Sequence, residues 1–310
     1  MRKLRVLLTG ASGMVGRNLL EHPDIGQFKL LTPPRAELDL LDFNSVYEYL
    51  REHRPDIVLH AAGKVGGIQA NIREPVKYLT DNLDMGRNIV LASRKTGIKR
   101  LLNLGSSCMY PRDRRDPLSE DMILKGELEP TNEGYALAKI VVARLCEYIM
   151  REDGSFQYKT LIPCNLYGRH DKFNPKHSHL VPAIIYKIHH AMQEGATNIE
   201  IWGDGMARRE FMYAGDFADA LVHALREFDS LPSYMNIGVG QDYSINEYYR
   251  VAAEVMGFNG RFVHNLEKPV GMKRKLLDIS QQKGWGWMPK TTLHEGIAQT
   301  YQYFLEECGR

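Results

Sequence analysis

Short apolar runs alternate along the first half of the chain with longer stretches whose apolar residues recur every three or four positions. The short runs are residues 4–8, 29–31, 57–60, 100–104 and 159–162, and the longer stretches are 45–52, 76–94 and 136–151. Strands that alternate with helices in this way are typical of βαβ units, in which each helix crosses over a parallel sheet. The pattern therefore predicts an α/β fold.

After about residue 165 the pattern becomes looser. Short strands are predicted at 199–202 and 235–237, and helices at 217–227 and 245–256. We interpret this part as a second, smaller lobe. The expected division is a first domain over residues 1–165, to which later segments return, and a second lobe formed mainly by residues 166–310.

Composition narrows the classes of function. The chain has 310 residues, of which 44% are apolar, enough for a full core. Forty basic and thirty-eight acidic residues leave a net charge of +2 without a block of like charges, so no nucleic-acid partner is expected. The apolar stretch near the N-terminus is too short for a signal peptide or a membrane span, which predicts a cytoplasmic protein without a membrane partner.

The four cysteines, Cys108, Cys146, Cys164 and Cys308, form no CxxC pair and no cluster with zinc-ligand spacing. Neither a disulfide framework nor a metal site is therefore expected.

A glycine-rich loop follows the first predicted strand and precedes a helical stretch. It reads Gly-Ala-Ser-Gly-Met-Val-Gly over residues 10–16. Glycines spaced by three let the backbone turn tightly and approach a pyrophosphate, whose charge faces the N–H groups of the following helix. The loop in this context predicts a dinucleotide site.

The residues after the second predicted strand bear on the choice between NAD and NADP. Arg35 lies where a 2′-phosphate requires a cation, which favours NADP, although Glu37 is close by. Asp42, somewhat further on, either accepts the adenine amino group or caps the next helix.

Two polar clusters suggest chemistry. The fourth predicted strand ends in Gly-Ser-Ser-Cys-Met-Tyr-Pro (residues 105–111), and further on Tyr135 and Lys139 are four positions apart on a predicted helix, hence on one face. There the ammonium can lower the pKa of the phenol and also hold a nicotinamide ribose. This spacing alone also occurs by chance, with a surface tyrosine and a solvated lysine.

The glycine loop, a serine after the fourth strand and Tyr-x-x-x-Lys occur in the order found in the extended short-chain dehydrogenase/reductase family, which the chain resembles. The resemblance implies a Rossmann-type doubly wound parallel sheet with a smaller C-terminal α/β substrate-binding lobe. It also implies that Ser106 and Tyr135 bond the substrate oxygen, and that Tyr135 passes a proton while nicotinamide passes hydride.

Within that family the chain resembles the GDP-L-fucose synthases from the glycine loop to the closing helix at 293–305. The similarity lies in residues 105–108, 129–133, 165–182 and 202–211. It implies conversion of GDP-4-keto-6-deoxy-D-mannose to GDP-L-fucose by epimerisation at C3 and C5 and NADPH-dependent reduction at C4. It also implies a homodimer formed through the helix after Tyr135.

The resemblance assigns residues to each task. The catalytic set is Ser106, Cys108, Tyr135, Lys139 and His179, with Cys108 and His179 as base and acid in an order left open. The expected NADP(H) contacts are Gly10, Ser12, Gly13, Met14, Val15, Gly16, Arg35, Asp39, Leu40, Ala62, Gly105, Ser106, Tyr135, Lys139, Pro163, Asn165, Leu166 and His179. The expected substrate contacts are Ser107, Cys108, Asn165, Lys187, Trp202, Arg209 and Val270. His170, Cys146 and Cys164 are expected to be structural.

Several positions depart from the fucose synthase pattern. Lys187 replaces an arginine, Val270 replaces an acid, and Gly134 and Arg169 each replace a proline. GDP-L-colitose synthase, which acts on a sugar without the C3 hydroxyl, and GDP-6-deoxy-heptose enzymes are therefore alternatives. Cys108 and His179 argue against a nucleotide-sugar 4-epimerase, and Tyr135 and Lys139 against a non-catalytic NADP sensor.

Overall fold

A parallel sheet covered by helices forms the larger part of the structure, a computed structural model that describes residues 2–174, 178–268 and 272–307. The strands in those residues are β1 (Arg5–Thr9), β2 (Lys29–Leu31), β3 (Ile57–His60), β4 (Arg100–Leu104), β5 (Gln157–Pro163), β6 (Asn165–Tyr167), β7 (Asn198–Trp202), β8 (Arg208–Arg209), β9 (Phe211–Tyr213), β10 (Tyr234–Ile237), β11 (Tyr243–Ser244), β12 (Arg261–Asn265) and β13 (Arg274–Lys275). The α-helices are α1 (Met14–Leu20), α2 (Phe43–His53), α3 (Ile68–Arg73), α4 (Pro75–Lys95), α5 (Glu133–Glu152), α6 (Leu180–Gln193), α7 (Ala214–Arg226), α8 (Ile245–Met256), α9 (Ser280–Trp285) and α10 (Leu293–Glu307).

The central sheet has the strand order β10-β5-β4-β3-β1-β2, and every neighbouring pair is parallel. The five strands predicted in the first half all belong to it, so the α/β fold class is confirmed. The direction of winding reverses between β1 and β3. In open α/β sheets ligands bind at the carboxyl ends of the strands on either side of such a reversal.

Residues 235–237 are the main correction to the pattern-based assignment. We expected them in the second lobe, but β10 pairs with β5, with Met235 opposite Leu161. Helix α7 likewise packs against α1. Residues 235–237 are completely buried, and their sequence Met-Asn-Ile has no period that assigns it to one sheet or another.

Successive residues of β1 serve opposite faces of the sheet, which explains why the strand is apolar throughout. Val6 and Leu8 belong to the core shared with α1 and α7, whereas Leu7 belongs to the core shared with α2 and α4. All three side chains are fully buried. The alternation of a strand with period two thus places one helical layer on each face.

The N-terminus of α2 shows which of its two expected roles Asp42 has in the structure. The carboxylate of Asp42 accepts a hydrogen bond from the backbone N–H of Asn44 at 2.9 Å, so Asp42 is the N-cap of this helix. Of the two roles considered for Asp42, the structure shows that of the helix cap.

A smaller body has its own core, built by α6, α8 and α10. Small sheets lie around it, with the orders β11-β8-β13, β12-β7 and β6-β9. Across residues 2–174, 178–268 and 272–307 no helix has the length and apolar character needed to span a bilayer. The same part of the chain contains no group of three His, Cys, Asp or Glu residues arranged to hold a metal ion.

Candidate active site

The glycine loop lies at the carboxyl end of β1, against the segment that follows β3. Gly10 has a φ of 73°, and a Cβ there would come within 2.7 Å of the backbone of Ala62. A Cβ on Gly16 would collide with the carbonyl oxygen of Gly10. Helix α1 begins after Gly13 without a side-chain cap, so its first N–H groups are left for another acceptor. These features form a cradle that fits a pyrophosphate.

The loop after β2 contains the expected 2′-phosphate contact. The side chain of Arg35 is exposed, and its Nε lies 3.6 Å from the carboxylate of Asp39. Leu40, in contrast, has its side chain in the core, and its carbonyl accepts a hydrogen bond from Asn88. Arg35 is therefore available to an anion, whereas Leu40 offers no side chain to a cofactor.

Ser106, Tyr135 and Lys139 meet where β4 ends against the first turns of α5. Burial raises the pKa of Tyr135, the charge of Cys108 raises it further, and a hydrogen bond with Ser106 opposes both effects. Lys139 is buried and donates to the carbonyl of Leu104 at 2.9 Å. Burial lowers its pKa to about 8. At neutral pH the phenol keeps its proton and most of the ammonium its charge.

The sulfur of Cys108 lies next to two nitrogen donors. Asn132 Nδ2 donates to Sγ at 3.1 Å and Lys275 Nζ at 3.6 Å. The backbone N–H of Cys108 in turn donates to Ser106 Oγ at 3.3 Å. The thiol is thus held beside the serine and is partly exposed.

His179 is the residue before the first turn of α6, which begins at Leu180. Burial lowers its pKa below the usual value of 6.5, and the positive charges of Lys172 and Lys275 lower it further. The effect of Lys275 on this imidazole, together with the contact of the same ammonium with Cys108, shows that the histidine and the cysteine share one electrostatic environment.

Three of the other expected cofactor residues lie on β5 and β6. Pro163 is opposite Ile237 in the central sheet, and Asn165 donates to the carbonyl of Glu210 at 2.9 Å. Leu166 packs against the core. Ser107 is 3% exposed, so its hydroxyl is largely covered in this conformation.

Two of the expected substrate residues of the second lobe, Lys187 and Trp202, lie close together. The ring of Trp202 is 41% exposed, and the ammonium groups of Lys187 and Lys268 lie 5.8 Å and 5.6 Å from its centroid. Lys187 also donates to the carbonyl of Glu200 at 3.3 Å. Arg209 donates to the carbonyl of Arg208 at 2.8 Å. Val270 lies outside the described residues.

The residues interpreted as structural have structural contacts. His170 lies 2.6 Å from Glu21 and 3.0 Å from the hydroxyl of Tyr303. Cys146 and Cys164 are buried in the core, where burial raises the pKa of each thiol. Cys308 lies outside the described residues.

The sequence-based interpretation left out two neighbours of Cys108. Asn132 occurs in the stretch 129–133 that carries the family resemblance, so a signal was present for it. Lys275 lies 167 residues away from Cys108 in the chain and belongs to no motif that we recognised. Only the folded structure brings it to the site.

The chain is similar to known proteins along most of its length. The model of the NAD dependent epimerase/dehydratase family matches residues 6–240. The chain is 54% identical to the GDP-L-colitose synthase of Yersinia pseudotuberculosis, over 98% of this chain and 99% of that protein. It is 50% identical to the GDP-L-fucose synthase of Azorhizobium caulinodans, over 97% and 96% of the two chains.

Among solved structures, the GDP-mannoheptose C4 reductase of Campylobacter jejuni with NADP bound superimposes with a TM-score of 0.87. It is 30% identical to this chain, and the match covers 98% of this chain and 99% of the other.

Proposed function

The chain belongs to the NAD dependent epimerase/dehydratase family, and from this premise we propose that it converts GDP-4-keto-6-deoxy-D-mannose to GDP-L-fucose. The reaction has two parts, epimerisation at C3 and C5 and NADPH-dependent reduction at C4. The observation that carries the proposal is the meeting of Ser106, Tyr135 and Lys139 with the thiol of Cys108. The first three residues suit carbonyl reduction, and the thiol adds a base for carbon acids.

The cofactor is NADP(H). The Gly10–Gly16 cradle suits its pyrophosphate, and the exposed guanidinium of Arg35 suits its 2′-phosphate. The ammonium of Lys139 is available to the nicotinamide ribose beside Tyr135. When bound, NADPH supplies the hydride that reduces C4.

Tyr135 and Ser106 act on the C4 oxygen. Because burial keeps the phenol protonated, Tyr135 can donate a hydrogen bond to the ketone and then give up its proton as the oxygen gains negative charge. The nearby ammonium of Lys139 stabilises the phenolate that remains. Ser106 supplies a second hydrogen bond to the same oxygen.

Epimerisation uses the acidity that the C4 ketone gives to the protons on C3 and C5. We assign proton removal to Cys108, since Asn132 and Lys275 both direct N–H groups at its sulfur. The electron pair of the broken C–H bond moves into an enolate, whose oxygen is held by Ser106 and Tyr135.

We assign the return of a proton on the opposite face to His179. Burial lowers the pKa of its imidazole in the free protein, and the charges of Lys172 and Lys275 lower it further. A bound GDP-sugar carries negative phosphate charges that offset these lysines, and this favours the imidazolium that donation requires. Substrate binding therefore favours the protonated form of His179, which can donate the proton.

The same proposal assigns cofactor binding and substrate binding to different parts of the chain. Residues 1–165 would bind the cofactor, with β10 returning to their sheet, and residues 166–310 would mainly bind the nucleotide sugar. The exposed aromatic ring of Trp202, with two lysine ammonium groups close to it, suits a base and a diphosphate. Lys187, Arg209 and Asn165 are proposed contacts on this side.

The homodimer remains part of the proposal. Leu137, Val141 and Tyr148 on α5 are 37%, 48% and 50% exposed, although this helix is otherwise well packed. Leu137 and Val141 are one turn apart and Tyr148 lies two turns further, so the three lie along one side. An apolar stripe of this kind supports pairing with a second copy of α4 and α5.

A second candidate is a GDP-L-colitose synthase. It is favoured by the 54% identity to the Yersinia enzyme and by Lys187, which stands where fucose synthases have arginine. A lysine keeps the charge but loses the bidentate geometry of a guanidinium. The two candidates share the site and differ in whether the substrate has a C3 hydroxyl.

The deciding experiment follows deuterium by NMR when GDP-4-keto-6-deoxy-D-mannose is incubated in heavy water with enzyme and NADPH. We expect deuterium at C3 and C5 together with consumption of NADPH. Label at C5 only, or turnover only with the 3-deoxy substrate, would replace fucose by colitose. The variant Cys108→Ser should lose the exchange while retaining some ketone reduction, and normal exchange in it would remove Cys108 from the role of base.

A further inference from the structure

The short strand β13 brings a lysine to the proposed base. Lys275 Nζ lies 3.6 Å from Cys108 Sγ, and the side chain is partly buried. A thiol acts as a base only in its thiolate form, and a neighbouring ammonium is one of the few features that stabilise this form in a protein. Asn132, the other donor at the sulfur, has no net charge, so Lys275 is the cation in contact with it.

We propose that Lys275 is a further catalytic residue, whose ammonium holds Cys108 as the thiolate that removes the proton next to the C4 ketone. This inference rests on the proposed function. In the step, the C–H bond breaks, its proton goes to Sγ, and its electron pair forms the enolate. Lys275 keeps its own proton throughout, and its charge stabilises the sulfur before transfer.

The position of Lys275 is set by its neighbours in the strand. β13 pairs in parallel with β8, which puts Arg274 opposite Arg208 and Lys275 opposite Arg209. The buried carboxylate of Asp242 accepts from Arg208 Nε at 2.8 Å and from Arg274 Nε at 2.5 Å. Asp242 is 6% exposed, so this double ion pair fixes the two strands together from within the protein.

Hydrogen bonds of Glu210 also hold the backbone at Lys275 and at the residues that follow it. The carbonyl of Lys275 accepts from the backbone N–H of Glu210 at 3.1 Å. The carboxylate of Glu210 accepts from the N–H of Leu277 at 2.8 Å and from the N–H groups of Val239 and Gly240 at 2.7 and 2.8 Å. The ammonium is therefore presented by a backbone that is held on both sides.

Two other titratable groups, Tyr135 and His179, belong to the same electrostatic environment. Tyr135 on α5 interacts electrostatically with the cysteine, and burial keeps this phenol neutral. Burial lowers the pKa of His179, which precedes α6, and the positive charges of Lys172 and Lys275 lower it further. Lys275 therefore favours a negative sulfur, and together with burial and Lys172 it favours a neutral imidazole until an anionic substrate binds.

The test measures the reactivity of Cys108 without substrate. Wild-type protein, Lys275→Met and Lys275→Arg are treated with iodoacetamide over a range of pH, and labelling of the peptide containing Cys108 is followed by mass spectrometry. Iodoacetamide is neutral, so the charge of Lys275 does not attract the reagent. Lys273→Met, which removes an exposed charge from the same segment, is the matched control.

In Lys275→Met we expect the pH at the midpoint of the labelling rate to rise by about one unit, with a roughly tenfold slower rate at pH 7. Lys275→Arg and Lys273→Met should remain near wild type. The buried Cys146 and Cys164 should stay unlabelled in every folded variant and so report folding. If Lys275→Met does not fold, Lys275→Gln gives the same comparison.

An unchanged midpoint in a folded variant without the Lys275 charge would overturn the proposal. If KM for the GDP-sugar then rises, Lys275 binds substrate and does not activate the thiol. Because labelling needs neither substrate nor cofactor, its result is independent of the deuterium experiment. A wild-type protein that does not turn over the GDP-sugar would reject the proposed function and leave the contact between Lys275 and Cys108 tested on its own.

Discussion

At the scale of single residues, burial acts in opposite directions on the two groups of the Tyr-x-x-x-Lys pair. It raises the pKa of Tyr135 and lowers that of Lys139 to about 8. In both cases the low-dielectric surroundings disfavour the charged form. The tyrosine is thereby kept as a proton donor, and the lysine remains mostly charged at neutral pH while being easily neutralised above it.

Arg35 offers a test of cofactor choice at the same scale. Replacing Arg35 with Ala should raise KM for NADPH by about tenfold to a hundredfold and change KM for NADH little, because only NADPH has a phosphate to pair with the guanidinium. Steady-state kinetics with both cofactors measure the ratio. The exposed Arg17→Ala on α1 serves as a charge-matched control, and an equal loss with both cofactors in Arg35→Ala would contradict the assignment.

At the scale of elements, α5 has three tasks. Its first turns carry Tyr135 and Lys139, its buried residues pack against α4 and β5, and its exposed side presents Leu137, Val141 and Tyr148. The helix therefore connects the proposed reaction centre with the proposed dimer contact. Gly134 lies where a Cβ would come within 3.2 Å of the carbonyl oxygen of Pro75, so the start of α5 runs close to α4.

The exposed side of α5 yields a prediction on assembly. Val141→Asp should weaken the dimer by more than about a hundredfold, because association would bury an unpaired carboxylate. Sedimentation velocity should then show a monomer. Val263→Asp on β12, where the valine is 52% exposed, is the matched control and should leave the mass unchanged. A wild-type monomer, or a dimer that survives Val141→Asp, would remove α5 as the interface.

At the scale of the whole molecule, the central sheet contains a buried histidine that links stability to pH. His60 is 2% exposed, and its Nδ1 lies 2.9 Å from the hydroxyl of Thr9. Burial lowers its pKa from 6.5 to about 3, with a further contribution from the charge of Lys139. Between these two values the unfolded chain binds a proton that the folded protein does not.

Stability should therefore fall as pH decreases from about 6.5 towards about 3. From this histidine alone the loss is about 2 kcal/mol at pH 5 relative to pH 8. Urea unfolding of wild type and His60→Asn at both pH values gives the difference. The variant should lose less stability on acidification by about this amount, and the same pH dependence in both proteins would show that His60 is not the linked group.

The pattern of residues along the chain was enough to predict most strands of the central sheet and two motifs of the candidate site. The alternation of apolar runs predicted five of the six strands of the central sheet, because a strand in a parallel sheet and its crossover helix each leave a regular pattern. The glycine loop and the Tyr135–Lys139 spacing were equally readable, since each acts through residues a few positions apart. The assignments of individual site residues stay predictions until variants are measured.

Only the tertiary structure decided which distant segments meet. It moved residues 234–237 into the central sheet, turned the side chain of Leu40 into the core, and brought Lys275 to Cys108 across 167 residues of chain. The physical reason is that hydrophobic burial and ion pairing depend on proximity in space, and for residues far apart in the chain this proximity is set by how strands and helices pack. The sequence by itself determined the elements and the local motifs, whereas the folded chain determined the surroundings of the thiol.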